Sequence, residues 1–290
     1  MRKISLLLLL TLLIGLVGCS APATSPEIMA TTKPVYDFLS RLCAGTDISV
    51  GLLINESVSC LHDYSLSVEQ VRNAEAAKVI VISGAGLEDF MSDLLDRCDT
   101  VIDSSVGISL LECTEEHDHG HEHHHEEDAH IWLSPENAKI MSKNIHDGLS
   151  SVYPQHSEIF QENLGELATA LDDLQAYGES ALQTLSCRKL ITFHDGFGYL
   201  AHAFDLNIIA AIEEESGSEA SAKELIHLIE LVQQHHIPAI FAEINGSVSA
   251  PGIISAETGA STHMLDMGMG SGDYFEIMRH NIDTLKEALG

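Results

Sequence analysis

Residues 157–185 read SEIFQENLGELATALDDLQAYGESALQTL, and this stretch divides the chain into two halves. Apolar side chains recur in it at steps of three and four residues: Phe160, Leu164, Leu167, Leu171 and Leu174. That spacing places them on one face of a helix. No pattern typical of a strand interrupts the stretch. We therefore predict one long helix that connects two parts of the molecule.

Short apolar runs alternate with helical patterns on both sides of this helix. Upstream, residues 78–83 (KVIVIS) form a continuous apolar run typical of a buried strand. Downstream, residues 189–193 (KLITF) and 238–243 (PAIFAE) repeat the pattern. The alternation predicts an α/β fold of two lobes with mostly parallel sheets, joined by the long helix and each with its own core. A ligand site would lie in the cleft between the lobes.

The expected division of the chain follows from this pattern. Residues 28–150 form the N-terminal lobe, residues 151–186 the linker helix and residues 187–290 the C-terminal lobe. The N-terminal lobe would include a histidine-rich loop at residues 117–127.

The chain begins with a segment typical of export. Residues 1–19 read MRKISLLLLLTLLIGLVGC, in which two basic residues precede an apolar run too short to span a bilayer. We interpret residues 1–18 as a signal peptide. The end of the segment, LVGC, resembles a bacterial lipobox, in which cleavage leaves Cys19 as a lipid-carrying N-terminus. Residues 19–27 would be a polar tether. We expect a protein anchored to the outer face of the bacterial cell membrane, or to its periplasmic side in a two-membrane cell.

The chain is strongly acidic, with a formal net charge of −30 at pH 7. Such a chain should not bind nucleic acid or anionic lipid headgroups, but it can concentrate cations near its surface. We expect it to be a monomer.

Beyond Cys19 the chain has five cysteines: Cys43, Cys60, Cys98, Cys113 and Cys187. Export permits disulfides, but an odd number leaves at least one thiol without a partner in the chain. No C-x-x-C spacing is present, which argues against a zinc ribbon. Because Cys60 and Cys113 both lie near candidate metal segments, we predict that they pair.

A histidine-rich tract, HDHGHEHHHEEDAHIWLSPE, spans residues 117–136. Its first part, residues 117–127, shows no helical or strand period, and such a composition is typical of metal binding by a loop. The loop's candidate ligands are His117, His119, His121, His123, His124 and His125. The alternative is a solvated linker. The second part is specific, because Ser134 before Pro135 predicts a helix start just after His130.

Three isolated histidines share one kind of position. His62, His130 and His194 each lie in a loop followed within a few residues by a helix start, and Asp266 ends a predicted strand. In open α/β sheets, ligands collect outside the carboxyl ends of strands. Three imidazoles and a carboxylate fit tetrahedral zinc. Spacing alone does not select these residues, because each histidine could also be a surface or capping residue.

Several short motifs carry a family resemblance. They are HDYS at 62–65, the acidic histidine-rich loop, HIWLSP at 130–135, FHDGFGY at 193–199, IFAE at 240–243, ETGA at 257–260 and LD at 265–266. With these motifs the chain resembles the zinc-binding lipoproteins of bacterial metal-uptake ABC transporters, the cluster A-I solute-binding proteins of ZnuA/AdcA type. The resemblance covers nearly the whole mature chain. It implies Zn²⁺ as cargo, with His62, His130, His194 and Asp266 as ligands.

Two departures from the family pattern leave alternatives at the site, and two carboxylates lie near the candidate ligands. The loop before His62 lacks the usual Pro-Gly, so Cys60 is another candidate ligand, with a disulfide as its alternative. Leu-Asp-Met-Gly replaces Leu-Asp-Pro-Leu at the fourth site, so Asp273 rivals Asp266. Asp195 and Glu243 are expected to accept hydrogen bonds from ligand histidines. Their alternatives are an exposed loop aspartate and a structural contact.

The implied function is capture of Zn²⁺ outside the cell and its delivery to an ABC transporter membrane permease. Manganese-binding relatives place a glutamate at the third position, so His194 favours zinc. A manganese- or iron-binding member of the same family is the alternative. A zinc-dependent hydrolase is a third hypothesis, but it needs an open coordination position, which four protein ligands would not leave. We therefore expect no enzyme.

Overall fold

A computed structural model describes residues 25–56, 61, 64–112, 127–213, 220–244 and 246–290. The signal peptide and Cys19, and with them most of the tether, lie outside the described residues. Within the described part of the chain, no helix is long and apolar enough to cross a membrane.

The described residues contain two four-stranded sheets. The strands of the first are β1 Ile28–Ala30, β2 Val50–Leu52, β3 Val79–Ile82 and β4 Val101–Asp103, and those of the second are β5 Lys189–His194, β6 Asn207–Glu213, β7 Ala239–Glu243 and β8 Ser261–Leu265. The strand orders are β2-β1-β3-β4 and β6-β5-β7-β8, and every pairing is parallel. Both lobes thus share one topology, and the predicted fold class is confirmed.

Helices cover the sheets and join the lobes. They are α1 Lys33–Leu42, α2 Val68–Ala76, α3 Ser92–Leu95, α4 Pro135–Val152, α5 Ser157–Leu182, α6 Gly198–Ala203, α7 Ala222–His235, α8 Ser249–Thr258 and α9 Tyr274–Leu289, with 3₁₀ turns at Asp89–Met91, Ile131–Leu133 and Pro154–His156. Side chains cap the starts of α2 and α4, of which the one at Ser134 is predicted above. Ser67 and Gln70 form a capping box at α2, and Ser134 caps α4 with Pro135 in its first turn.

The connecting helix α5 is 26 residues long and ends at Leu182, four residues before the predicted linker boundary at residue 186. At this end of the helix, the Arg188 guanidinium donates to the free carbonyls of Leu182 and Gln183, at 3.0 and 3.5 Å. Most of the predicted apolar stripe is buried, with Leu171 and Leu174 fully so. The helix packs on α1, α4 and α9, so it lies along both lobes.

Alternate residues of the central strands face two different hydrophobic clusters. In β3, Val79 and Val81 belong to the largest cluster, whereas Ile80 belongs to a smaller one behind the sheet. In β7, Ala239 and Phe241 belong to the same large cluster, whereas Ile240 belongs to a separate cluster on the outer face of the sheet. Because strand side chains alternate between faces, one face of each sheet points toward the other lobe. The lobes therefore share their largest core, which differs from the expectation of one core per lobe.

Candidate metal centre

His194 lies at the carboxyl end of β5, as the last residue of the strand. Ile191 and Phe193 point into the outer cluster of the C-terminal lobe. Strand alternation therefore turns His194 to the opposite face, toward the N-terminal lobe. Its side chain is buried, and among the described residues Nε2 has no hydrogen-bond partner. A buried nitrogen with a free lone pair is costly unless a ligand satisfies it.

His130 is brought to the same place from the other lobe. The rings of His130 and His194 stand 5.3 Å apart, centroid to centroid, at 87° to each other. His130 is 4% exposed, and the 3₁₀ turn Ile131–Leu133 follows it directly. The structure thus joins two of the four predicted ligands, which are 64 positions apart in sequence.

Asp128 fixes the orientation of the His130 ring. Its Oδ1 lies 2.9 Å from ring Nδ1 and also accepts the His130 backbone N–H at 2.9 Å. A carboxylate can only accept, so Nδ1 carries the proton and Nε2 keeps the lone pair that a cation needs. Tyr199 of the C-terminal lobe donates its hydroxyl to the Asp128 carbonyl at 3.0 Å. This carboxylate was not among the residues expected from sequence.

Two glycines leave the space that this arrangement requires. A Cβ on Gly196 would lie 2.8 Å from Nδ1 of His130, and one on Gly198 would lie 2.9 Å from Oδ2 of Asp128. Both distances are shorter than real Cβ contacts. The F-H-D-G-F-G motif therefore combines a candidate ligand with two close approaches between the lobes.

Trp132 packs beside His130 and bridges the lobes. The two rings meet edge to face, with centroids 5.4 Å apart. The indole is fully buried, and its Nε1 donates to the carbonyl of Met267 at 2.8 Å. This bond holds the backbone next to Asp266 against the N-terminal lobe.

Asp266 directly follows β8, which ends at Leu265, one residue before the predicted strand end at Asp266. Its Oδ1 accepts the N–H of Gly268 at 2.8 Å. Its own N–H donates to Oδ1 of Asn281, and its carbonyl accepts from Nδ2 of Asn281. The backbone of Asp266 is thus held firmly, while its role as a ligand stays a prediction.

Asp273, the rival fourth ligand, has other partners. It caps α9 by accepting the N–H of Phe275 at 2.9 Å, and it pairs with Arg41 at 2.7 Å. Burial alone would raise the pKa of Asp273, but the Arg41 hydrogen bond and charge, with backbone N–H groups of the helix start, hold the pKa below its usual value. The carboxylate of Asp273 is thus engaged in other contacts, and the choice between Asp266 and Asp273 stays a prediction.

The two supporting residues lie at the same sheet edge. Glu243 is the last residue of β7 and is almost fully buried. The β5–β7 register pairs Thr192 with Phe241, so continuing it by two residues brings His194 beside Glu243. Asp195 follows His194 and is half-buried. Their roles as hydrogen-bond acceptors stay predictions.

The remaining predicted ligands lie outside the described residues. These are His62, its alternative Cys60, and the histidine-rich loop from His117 to His125. Cys113, the predicted disulfide partner of Cys60, also lies outside the described residues. Among the residues that are described, no group of three or more His, Cys, Asp or Glu side chains is arranged to hold a metal. The three described cysteines, Cys43, Cys98 and Cys187, carry free thiols.

Two lobes of one topology, facing each other across a buried imidazole pair, define a bilobal α/β protein. The family described as zinc-uptake complex component A, periplasmic (ZnuA), matches residues 28–288. The chain belongs to this family.

Individual relatives and structures agree with this assignment. The zinc-binding lipoprotein AdcA of Streptococcus pneumoniae is 33% identical over 99% of this chain and 61% of that protein. A putative metal-binding protein of Treponema pallidum is 28% identical over 86% of this chain and 83% of its own. A crystal structure of ZnuA is 27% identical, with a TM-score of 0.80 over 92% of this chain and 100% of that one. A zinc-bound ZnuA deletion mutant is also 27% identical, with a TM-score of 0.79 over 92% of this chain and 98% of its own.

The chain spans 61% of the length of the pneumococcal relatives that it matches.

Proposed function

We propose that this protein captures Zn²⁺ outside the cytoplasm and delivers it to an ABC transporter membrane permease. The observation that supports the proposal most directly is the His130–His194 pair, whose buried rings approach from the two lobes. Within the described part of the chain, Nε2 of His194 has no hydrogen-bond partner. The zinc named in the descriptions of ZnuA and AdcA points to the same cargo.

In the proposed site, His62, His130, His194 and Asp266 would bind the cation. Three imidazoles and one carboxylate suit tetrahedral zinc, and four protein ligands leave no open position for a reacting water. We therefore propose a binding protein that has no catalytic activity. Imidazole at the third position favours zinc over manganese, which prefers carboxylate oxygens.

The histidine-rich loop would collect zinc and pass it to His130, the nearest of the proposed ligands along the chain. Cys19 would hold the protein at the membrane through lipid, so that the captured ion stays near the permease. The protein would act as a monomer.

The cargo is tested by competition between metals on the metal-free protein. We expect one tightly bound Zn²⁺ that Mn²⁺ and Fe²⁺ at equal free concentration do not displace. Replacing His194→Glu should move the preference toward manganese, because a carboxylate replaces an imidazole. Preferential retention of manganese by the wild type would refute zinc as the cargo.

A further inference from the structure

Helix α1 presents a line of charged side chains to the other lobe. Lys33, Asp37 and Arg41 follow each other at intervals of four residues. Residues four apart lie on the same face of a helix. This face meets the start of α9, which belongs to the C-terminal lobe.

Each of the three side chains contacts a different group at the start of α9. Lys33 donates to the carbonyl of Gly272. Asp37 accepts the N–H of Tyr274 at 3.0 Å, and Arg41 pairs with the carboxylate of Asp273 at 2.7 Å.

These contacts are internally supported. Lys33 and Asp37 form an ion pair at 2.6 Å, with both side chains largely buried. The guanidinium of Arg41 also lies 4.6 Å from the centre of the Phe275 ring. Burial raises the pKa of Asp37 although Lys33 and the Tyr274 N–H act to lower it.

Helix α9 in turn holds the segment that carries Asp266. Asn281 is fully buried and makes both backbone hydrogen bonds to Asp266, at 2.9 and 2.8 Å. Met267, the residue after Asp266, accepts a hydrogen bond through its carbonyl from Trp132 of the N-terminal lobe. The position of α9 against α1 therefore determines where Asp266 stands relative to His130.

We propose that Lys33, Asp37 and Arg41 are positioning residues for the cation site. They fix α9 against the N-terminal lobe, and through Asn281 they set the separation between Asp266 and His130. The inference rests on the proposed function, because it takes Asp266 as a ligand of the captured cation.

Trp132 reports on this separation, since it is the only tryptophan of the chain and its indole bridges the lobes. The test variant is Arg41→Met, which keeps apolar contact with Phe275 and removes the charge. In the metal-free protein we expect a red-shifted Trp132 emission and stronger quenching by acrylamide. Zinc should dissociate about threefold to tenfold faster, which is the size of coupling that packed elements transmit.

The matched control is Lys139→Met. Lys139 pairs with Asp172 at 2.5 Å, far from α9 in sequence, and both side chains are exposed. Its loss should change neither the emission of Trp132 nor zinc dissociation. A second test variant, Asp37→Asn, should act in the same direction as Arg41→Met because it removes the pair with Lys33.

A double mutant separates positioning from a general loss of stability. In an Asp266→Ala background, Arg41→Met should have no further effect on zinc dissociation, because the two residues act through one contact. Fully additive effects would overturn the inference, as would a lowered melting temperature with unchanged Trp132 emission and zinc dissociation. A wild-type protein that does not bind zinc would instead refute the proposed function.

Discussion

At the residue scale, the chemistry of His130 depends on its contact with Asp128. A neutral imidazole has one donor and one acceptor nitrogen. The buried carboxylate beside Nδ1 makes Nδ1 the donor and leaves Nε2 as the acceptor. The same contact restrains ring rotation. Outer partners of this kind support a metal ligand by orienting it and by raising its basicity.

We therefore expect Asp128→Ala to weaken zinc binding by about 10- to 100-fold, the usual effect of losing such a partner. The measurement is a competition titration with a zinc chelator. Asp147→Ala is the matched control, because Asp147 lies 2.9 Å from Nδ1 of His146 in the same way but on the surface. Equal affinity of Asp128→Ala and the wild type would show that the carboxylate does not orient a ligand.

Gly196→Ala tests the close approach between the lobes. Its Cβ would lie 2.8 Å from the His130 ring and 2.5 Å from Cε of Met267, so the imidazole has to shift. We expect weaker zinc binding with the overall fold retained, measured by titration and circular dichroism.

Gly165→Ala is the control for Gly196→Ala, because none of the described residues lies within 4 Å of a Cβ at that position of α5. Alanine there should stabilise the helix by roughly 0.5–1 kcal/mol and leave zinc binding unchanged. Unchanged binding in Gly196→Ala as well would mean that the ring position does not matter.

At the element scale, the carboxyl ends of β1 and β3 are joined by one buried carboxylate. Glu88 accepts the hydroxyl of Thr31 at 2.5 Å and the N–H groups of Ser83 and Gly84 at 2.7 and 3.0 Å. Burial raises the pKa of Glu88 to about 7, although these three donors act to lower it. Nearby Asp103 raises the pKa further.

This raised pKa predicts the direction of a stability change with pH. The unfolded chain releases the Glu88 proton near 4.5 and the folded chain near 7, so the folded state loses stability as pH rises through this window. The loss is on the order of 3 kcal/mol, since each unit of pKa difference corresponds to about 1.4 kcal/mol.

Glu88→Gln should remove this part of the pH dependence. Urea unfolding between pH 4.5 and 8 measures the free energy of unfolding of the metal-free wild type and variant. The stability of the variant relative to the wild type should increase toward pH 7. Glu287→Gln, at an exposed position of α9, is the control. Its free energy of unfolding should change with pH in the same way as that of the wild type. Parallel curves for Glu88→Gln would show that Glu88 does not titrate in this range.

At the scale of the whole molecule, the shared core makes the two lobes one packed body. The largest cluster includes Phe38 of the N-terminal lobe, Leu171 of the connecting helix and Phe241 of the C-terminal lobe. The two candidate ligands that face each other are held by this packing as well as by their own loops. The site is therefore a property of the assembled chain, and neither lobe contains it alone.

Deletion of residues 117–127 tests whether this site and the histidine-rich loop bind zinc separately. We expect the tight zinc phase to remain and the additional, weaker phase to disappear, because a loop has to be ordered before it can hold a metal. Imidazole titrates near 6.5, so the weak phase of the intact protein should fade below about that pH while the tight phase persists further into acid.

Calorimetry on the intact and deleted proteins measures both phases. Loss of the tight phase on deletion would place the loop in the primary site. Unchanged stoichiometry, together with unchanged uptake by cells at low zinc, would reduce the loop to a linker.

Local patterns in the sequence were sufficient for the α/β fold class, the connecting helix and several buried strands. The apolar stripe of residues 157–185 predicted α5, and Ser134 before Pro135 predicted the start of α4, because both depend on neighbours within one or two turns. The strand 189–193 likewise placed His194 at a carboxyl edge. Family motifs, and not spacing, selected the candidate ligands from 17 histidines.

Only the tertiary structure decided which of these groups meet. It joined His130 to His194, and it paired Asp273 with Arg41 across 232 positions of the chain. Asp128 escaped the sequence analysis because it stands at the end of an acidic run, where one carboxylate looks like the next. The alternation of apolar and polar residues determines which face of an element is buried. Which two faces come together depends on packing between the lobes, which no local pattern encodes.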